Sequence, residues 1–165
     1  MPLCPTLARS LTRCFPVVLA GLFGSACGSK GAVSLTAHLE SPALSVQQAA
    51  LGTGLSGSFD LVLELGDYAD QGTDVSLGSF GIVQGSEELV SALTLSADGA
   101  SFPLRIEPGK SKRATLSVGG SQTYDASVGT SLCSGQVFYR GAVTDSESDG
   151  KPTPVQSNPF TPSCP

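Results

Sequence analysis

The sequence predicts an all-β domain, an antiparallel β-sandwich of about eight or nine short strands. Three observations predict it. Apolar residues recur at every second position in run after run, as they do on a strand with one wet face. Gly, Ser, Asp and Pro interrupt these runs at short intervals. No long segment repeats with helical period, and parallel strands need crossover connections that are usually helices.

The elements follow in order. In "VSLTAHLE", Val33, Leu35, Ala37 and Leu39 share one face, and Ser34, Thr36, His38 and Glu40 share the other. "SPALSVQQAALG" fits neither period. Ser41 as a cap, Pro42 at a first helical position and Gly52 as a stop suggest a short helix, and an extra edge strand is the equal alternative. "SFDLVLEL" turns Phe59, Leu61, Leu63 and Leu65 inward and Asp60 and Glu64 outward. "TDVSLGSFGIV" changes phase between Val75/Leu77 and Phe80/Ile82, so a bulge or bend is expected at Gly78. "LVSALTLS" reads as one strand over 89–96. "SFPLRIE" contains Pro103, which has no amide proton to donate and marks an edge strand or a strand start. "ATLSV", "TYDASV", "GQVFYRGAVT" and "TPVQSNPF" complete the set, with Val137, Tyr139 and Val143 inward in a central strand.

The stretch before these strands is different. Cys14 to Ala26 carries no charge and follows Arg9 and Arg13. A helix needs roughly 20 apolar residues to cross a bilayer core. This run is shorter and holds Pro16, Gly21 and Gly24. A positive flank, a short apolar core and small residues at its end read as a secretory signal. The run closes on "GSAC", three small residues before Cys27, with Gly28 and Ser29 after it.

That ending resembles the lipobox of bacterial lipoproteins, an aliphatic residue and two small ones before a Cys. The resemblance implies a signal peptide over 1–26, lipidation of Cys27 as the mature N-terminus, and residues 27–32 as a flexible tether to a sandwich over 33–165. It implies an exported protein held to a bacterial membrane by its lipid, and Gly28 fits outer-membrane sorting. The family usually has Leu where this chain has Gly24. If Cys27 is not lipidated, cleavage after Ala26 gives a secreted protein instead. The sandwich resembles immunoglobulin-like domains in strand count and strand length alone. The chain has no Trp to pack on an inter-sheet disulfide.

Composition narrows the function. The chain has 165 residues, with 9 Lys+Arg and 14 Asp+Glu. Losing residues 1–26 removes Arg9 and Arg13, leaving 139 residues and a charge of 7 − 14 = −7. Such a surface has no electrostatic footprint for nucleic acid. Anionic lipid repels it, so the lipid must be the membrane anchor. Of the five cysteines, Cys4 and Cys14 leave with the signal and Cys27 is acylated. Cys133 and Cys164 remain, an even pair in a compartment where disulfides persist. Cys164 ends the Pro-rich "NPFTPSCP", a tail that frays unless tied. A Cys133–Cys164 bond is therefore expected, holding that tail and Phe160 over the sandwich.

Few residues suggest chemistry. His38, the single histidine, faces outward. A hydrolase built on it needs a nucleophile and an orienting acid as well, and no Gly-x-Ser-x-Gly elbow occurs. "PGKS" lies between strands and lacks the earlier glycine of a phosphate loop, so it reads as a hairpin turn. "DSESDG" alternates Asp145, Glu147 and Asp149 before Gly150, which resembles the first half of a calcium loop. Its twelfth position is Gln156, and Pro152 and Pro154 interrupt the second half, so a solvated acidic turn is the plainer reading. "GDYADQGTD", with Asp67, Asp70 and Asp74, would have to fold to the same end to share an ion.

The expected protein is thus a non-enzymatic envelope lipoprotein without a required cofactor. Its partners would be a membrane, through the lipid, and an envelope protein or polysaccharide. A calcium-stabilised adhesion or carbohydrate-binding domain is one alternative, for which Tyr68, Tyr124 and Tyr139 are the tyrosines on offer. A hydrolase using His38 is the other.

Overall fold

A computed structural model describes residues 35–119 and 122–165. Residues 1–34, with the expected signal segment, Cys27 and the expected tether, lie outside the described residues. Ten strands and one short helix are present among those described. They form two antiparallel sheets that face each other across one core. The sandwich is as expected.

The first strand, β1 (Leu35–Ala49), makes a long hairpin with β2 (Gly52–Leu65). The stretch 41–52 is therefore mostly strand, not helix. Its register slips between Glu40 and Ala43, where Ser41 takes a left-handed backbone at φ 49°. This bulge absorbs Pro42, which has no proton for the ladder. It also switches the buried parity from Leu39 to Leu44 and Val46. A phase change inside one strand is why the segment matched neither period.

Next come β3 (Thr73–Gln84) and β4 (Glu87–Val90), then β5 (Leu95–Asp98). The bulge expected at Gly78 is present, with a register shift between Leu77 and Phe80. A side chain there would press on the Ala142 carbonyl, 2.9 Å from a Cβ. The expected single strand over 89–96 is instead two. β4 pairs with β3 in one sheet, and β5 belongs to the other. Between them the chain crosses the sandwich, held by the Leu93 amide donating to the Phe80 carbonyl at 2.8 Å. Alternation alone does not record a change of sheet.

The remaining elements are β6 (Leu104–Ile106), β7 (Ser111–Val118), β8 (Thr123–Tyr124), α1 (Ala126–Leu132), β9 (Phe138–Asp145) and β10 (Pro152–Gln156). β6 pairs with β3 alone, an edge position that tolerates the neighbouring Pro103. The strand expected over "TYDASV" stops at Tyr124 and turns into α1. Tyr124, Ala126 and Val128 imitate alternation, whereas the deciding pair, Val128 and Leu132, is four apart as on one helix face. Gly129 lets this helix lie close on β2, since a Cβ there would come 2.9 Å from Thr53 Cγ2.

The first sheet runs β1-β2-β7-β5, with β8 on the far end of β2. The second runs β10-β9-β3-β4, with β6 on the near end of β3. Phe59 of the first sheet meets Phe80 and Tyr139 of the second, ring centroids 5.5 and 4.7 Å apart. Leu61, Leu63, Ile82, Leu116, Val137 and Val143 are fully buried around them. The edge strand β10 carries Pro152 and Pro154, which blunt it against pairing with another chain.

Tyr139 spans this core and donates its hydroxyl to the Ala43 carbonyl at 2.8 Å. Burial pushes its phenol well above the ordinary value. The sign is then fixed. A raised folded pKa leaves stability whole below the unfolded value of about 10, and stability falls as pH rises beyond it. Tyr139→Phe should cost about 1 kcal/mol at neutral pH, the net value of one hydrogen bond. It should also flatten the alkaline limb of a stability–pH curve measured by urea titration.

Candidate functional site

Chemistry-bearing residues gather in three places: the outer face of the first sheet, the loops at the Leu35 end, and the C-terminal tail. The outer face follows from register. Glu40, Asp60 and Thr115 stand side by side across β1, β2 and β7, and His38, Val62 and Arg113 form the next row. Arg113 donates to Glu40 at 2.6 Å and to Asp60 at 3.0 Å. Thr115 donates to Asp60 at 2.7 Å, and His38 Nε2 lies 3.1 Å from Glu40 Oε1. Hydrogen bonds from His38 and then Arg113 hold the Glu40 carboxyl below its ordinary range. The Thr115 hydroxyl, with Arg113 assisting, does the same for Asp60. Pairs this exposed contribute little to stability. Whatever they contribute is present above the ordinary carboxylate range and fades as pH falls through the lowered values.

His38 is outward-facing, as expected. Glu40 is its hydrogen-bond partner, and no hydroxyl bonds its ring among the described residues. The arrangement can hold a charge on a flat face.

The loops at the Leu35 end come together as the calcium reading required. Gln71 donates to Glu147 at 2.7 Å, and the Ser146 amide donates to the Asp74 carbonyl at 3.0 Å. Asp145 is buried, and its Oδ1 accepts from the Glu147 amide at 3.0 Å and from Thr73 Oγ1 at 3.4 Å. These bonds make Asp145 the organiser of its own turn. Asp149 sits at φ 54°, in the turn that leads to β10. Among the described residues no three His, Cys, Asp or Glu side chains converge as a metal set. Asp145→Ala should cost about 1–3 kcal/mol by removing the acceptor of the Glu147 amide, while Thr73 Oγ1 keeps Ser146 Oγ as a partner at 3.2 Å. We expect the melting temperature to be the same in millimolar calcium and in EDTA. A calcium-dependent rise that Asp145→Asn abolishes would make this turn an ion site.

Beside these loops lies an open groove of about 440 Å³, lined by Thr36, Glu64, Asp67, Lys110 and Ser111 among others. His38 does not line it. Sequence reading missed this groove, because its residues come from β1, β2 with the loop after it, and the start of β7 with the turn before it. Of the three tyrosines, Tyr68 is 93% exposed in the loop after β2, Tyr139 is fully buried and Tyr124 is half-buried. Among the described residues, Tyr68 is the aromatic ring that is freely presented.

No family model matches this chain, nor does any curated protein or solved structure.

At the opposite end, Cys133 and Cys164 stand at disulfide distance, with Cα atoms 6.1 Å apart. Cys133 follows α1 directly. Phe160 pairs with Val137 and lies against Tyr139, ring centroids 5.2 Å apart, so the tail does cover the sandwich. Replacing either Cys by Ser should cost about 2–4 kcal/mol. Hydrogen exchange should show the tail loosening before the core.

Proposed function

We propose that this chain is an exported lipoprotein, held to a bacterial membrane by lipid on Cys27, whose sandwich binds or supports another component of the cell envelope. The observation that carries this reading is "GSAC" closing a short uncharged run behind Arg9 and Arg13. The acidic remainder supports it, because a charge of −7, counted as 7 − 14 after residue 26, offers anionic lipid no attraction. Seven residues lie between Cys27 and Leu35, so the eight steps of chain reach at most about 28 Å. The groove end of the domain would then lie nearest the membrane, and the tail end would face away.

The role we assign is binding or support, without catalysis. His38 paired with a carboxylate on a flat face fits it, and a hydrolase would need a hydroxyl nucleophile brought to that ring. The immunoglobulin-like description goes no further than two packed antiparallel sheets. The partner would be an envelope protein or polysaccharide, and nucleic acid is disfavoured by charge. The meeting of the two acidic loops favours one second reading, a calcium-stabilised adhesion or carbohydrate-binding domain, with Tyr68 as its exposed ring.

Metabolic labelling tests the anchor. Radiolabelled palmitate should enter the wild-type protein expressed in a bacterial host. Absence of label on protein that is exported and cleaved would leave plain secretion after Ala26 as the explanation.

A further inference from the structure

β1 is an edge strand fifteen residues long. Such an edge presents unpaired amides and carbonyls and invites pairing with another chain. Two features manage it here. One is the bulge at Ser41–Pro42. The other is the chain's own C-terminus, where the Ser163 amide donates to the Leu44 carbonyl at 2.8 Å and the Val46 amide donates to the Ser163 carbonyl at 2.9 Å. Ser163 thus pairs with Ser45 in parallel, although every ladder between named strands is antiparallel.

The tail fills little of the edge. It contributes this one bridge, and beyond it a shallow groove of about 280 Å³ runs on past Gln47 and Gln48, bounded by Cys164. Upstream, Ser157 still bonds β9 through the Tyr139 carbonyl, while Asn158 and Pro159 are exposed, held by the Ser157 hydroxyl donating to the Asn158 carbonyl at 3.0 Å, and mark where the tail would hinge. Beyond the hinge, the pairing of Phe160 with Val137, the Ser163 bridge and the Cys133–Cys164 clip hold the segment. Both cysteines are exposed.

We infer that the β1 edge from Leu44 to Gln48 is a strand-accepting slot, filled by the chain's own tail while the Cys133–Cys164 clip is closed, and able to take the tail of a second copy once the clip is opened. A second copy is the occupant that fits, because its residues 158–165 carry the same Phe160, Ser163 and Cys164 that seat here. Exchange of an identical element between two copies is a low-cost route to a dimer. The inference does not depend on the lipid anchor.

The chemistry balances. A thiolate of a dithiol reductant attacks Cys164 Sγ and expels the Cys133 thiolate. The reductant's second thiol then releases Cys164 and closes its own disulfide, so two electrons pass to the protein. After exchange, glutathione disulfide joins Cys164 of one copy to Cys133 of the other and leaves two glutathione thiols per bond.

The test uses the full-length protein, purified in detergent as two batches of different isotopic label. The batches are mixed, reduced with dithiothreitol, and reoxidised with glutathione disulfide over a range of protein concentrations. Mass spectrometry then reads the peptides joined through Cys133 and Cys164. Mixed-label pairs should appear and rise with concentration, alongside a dimer seen by light scattering. In the isolated mixed-label dimer the Val46 amide, which donates to the Ser163 carbonyl in the monomer, should be as protected from hydrogen exchange as it is in the monomer. Three results would overturn the inference: same-label pairs alone at every concentration, dimers joined only through Cys133–Cys133 or Cys164–Cys164, or a Val46 amide that exchanges freely in the mixed-label dimer.

Discussion

Phe59→Ala should destabilise the protein by about 3–5 kcal/mol, the usual cost of emptying a large buried aromatic site. Phe59 is 1% exposed at the middle of β2 and touches the rings of both Phe80 and Tyr139. It is therefore the contact at which the first sheet grips the second. Both neighbours, Phe80 on β3 and Tyr139 on β9, belong to the sheet opposite Phe59, so neither can collapse into the space without moving that sheet. Domains are typically stable by about 5–15 kcal/mol, and this loss would take much of that. Guanidinium titration should show a lower midpoint with an unchanged slope. Tyr68→Ala, at a side chain exposed to solvent, should leave the midpoint where it is. A loss below about 1 kcal/mol for Phe59→Ala would mean that the two sheets do not meet there.

Cys27→Ser should move the protein from the membrane fraction to the soluble fraction. Buried acyl chains hold a protein by about 0.8 kcal/mol per methylene, so two or more chains anchor it firmly. After residue 26 the chain has 7 Lys+Arg against 14 Asp+Glu, a balance that gives anionic lipid no electrostatic attraction. Among the described residues no helix is long and apolar enough to cross a membrane. Carbonate or high-salt washing should leave the wild type in place, because the attraction is apolar and salt does not screen it. Retention of the Cys27→Ser protein on washed membranes would point to a partner already embedded there.

The sandwich was legible because its alternation is local. Leu61, Leu63 and Leu65 announce an inward face two residues at a time, and Gly78 announces its bulge by the phase change around it. The Cys133–Cys164 pairing was legible for another reason. The expectation of export and the fraying of a Pro-rich tail both point to it, and the two Cα atoms are 6.1 Å apart. What alternation hides is any event that changes its phase or its sheet. Ser41–Pro42 shifts β1 by a bulge, and residues 91–94 carry the chain between sheets while preserving an apolar rhythm. The helix α1 was missed because three residues of false alternation came before its one four-residue spacing. The candidate site was less legible than the fold. His38, Glu40, Asp60 and Arg113 come from three strands, and register alone places them together. The groove and the pairing of Ser163 with Ser45 depend on contacts between distant parts of the chain, which no local pattern encodes.

The most direct measurement is the intact mass of the mature protein recovered from the envelope of an expressing bacterium. The expected mass begins at Cys27, carries added acyl chains, and is lighter by one pair of hydrogens for the Cys133–Cys164 bond. A mass that retains residues 1–26, or one that begins at Cys27 without acyl chains, would contradict a lipid-anchored, exported sandwich.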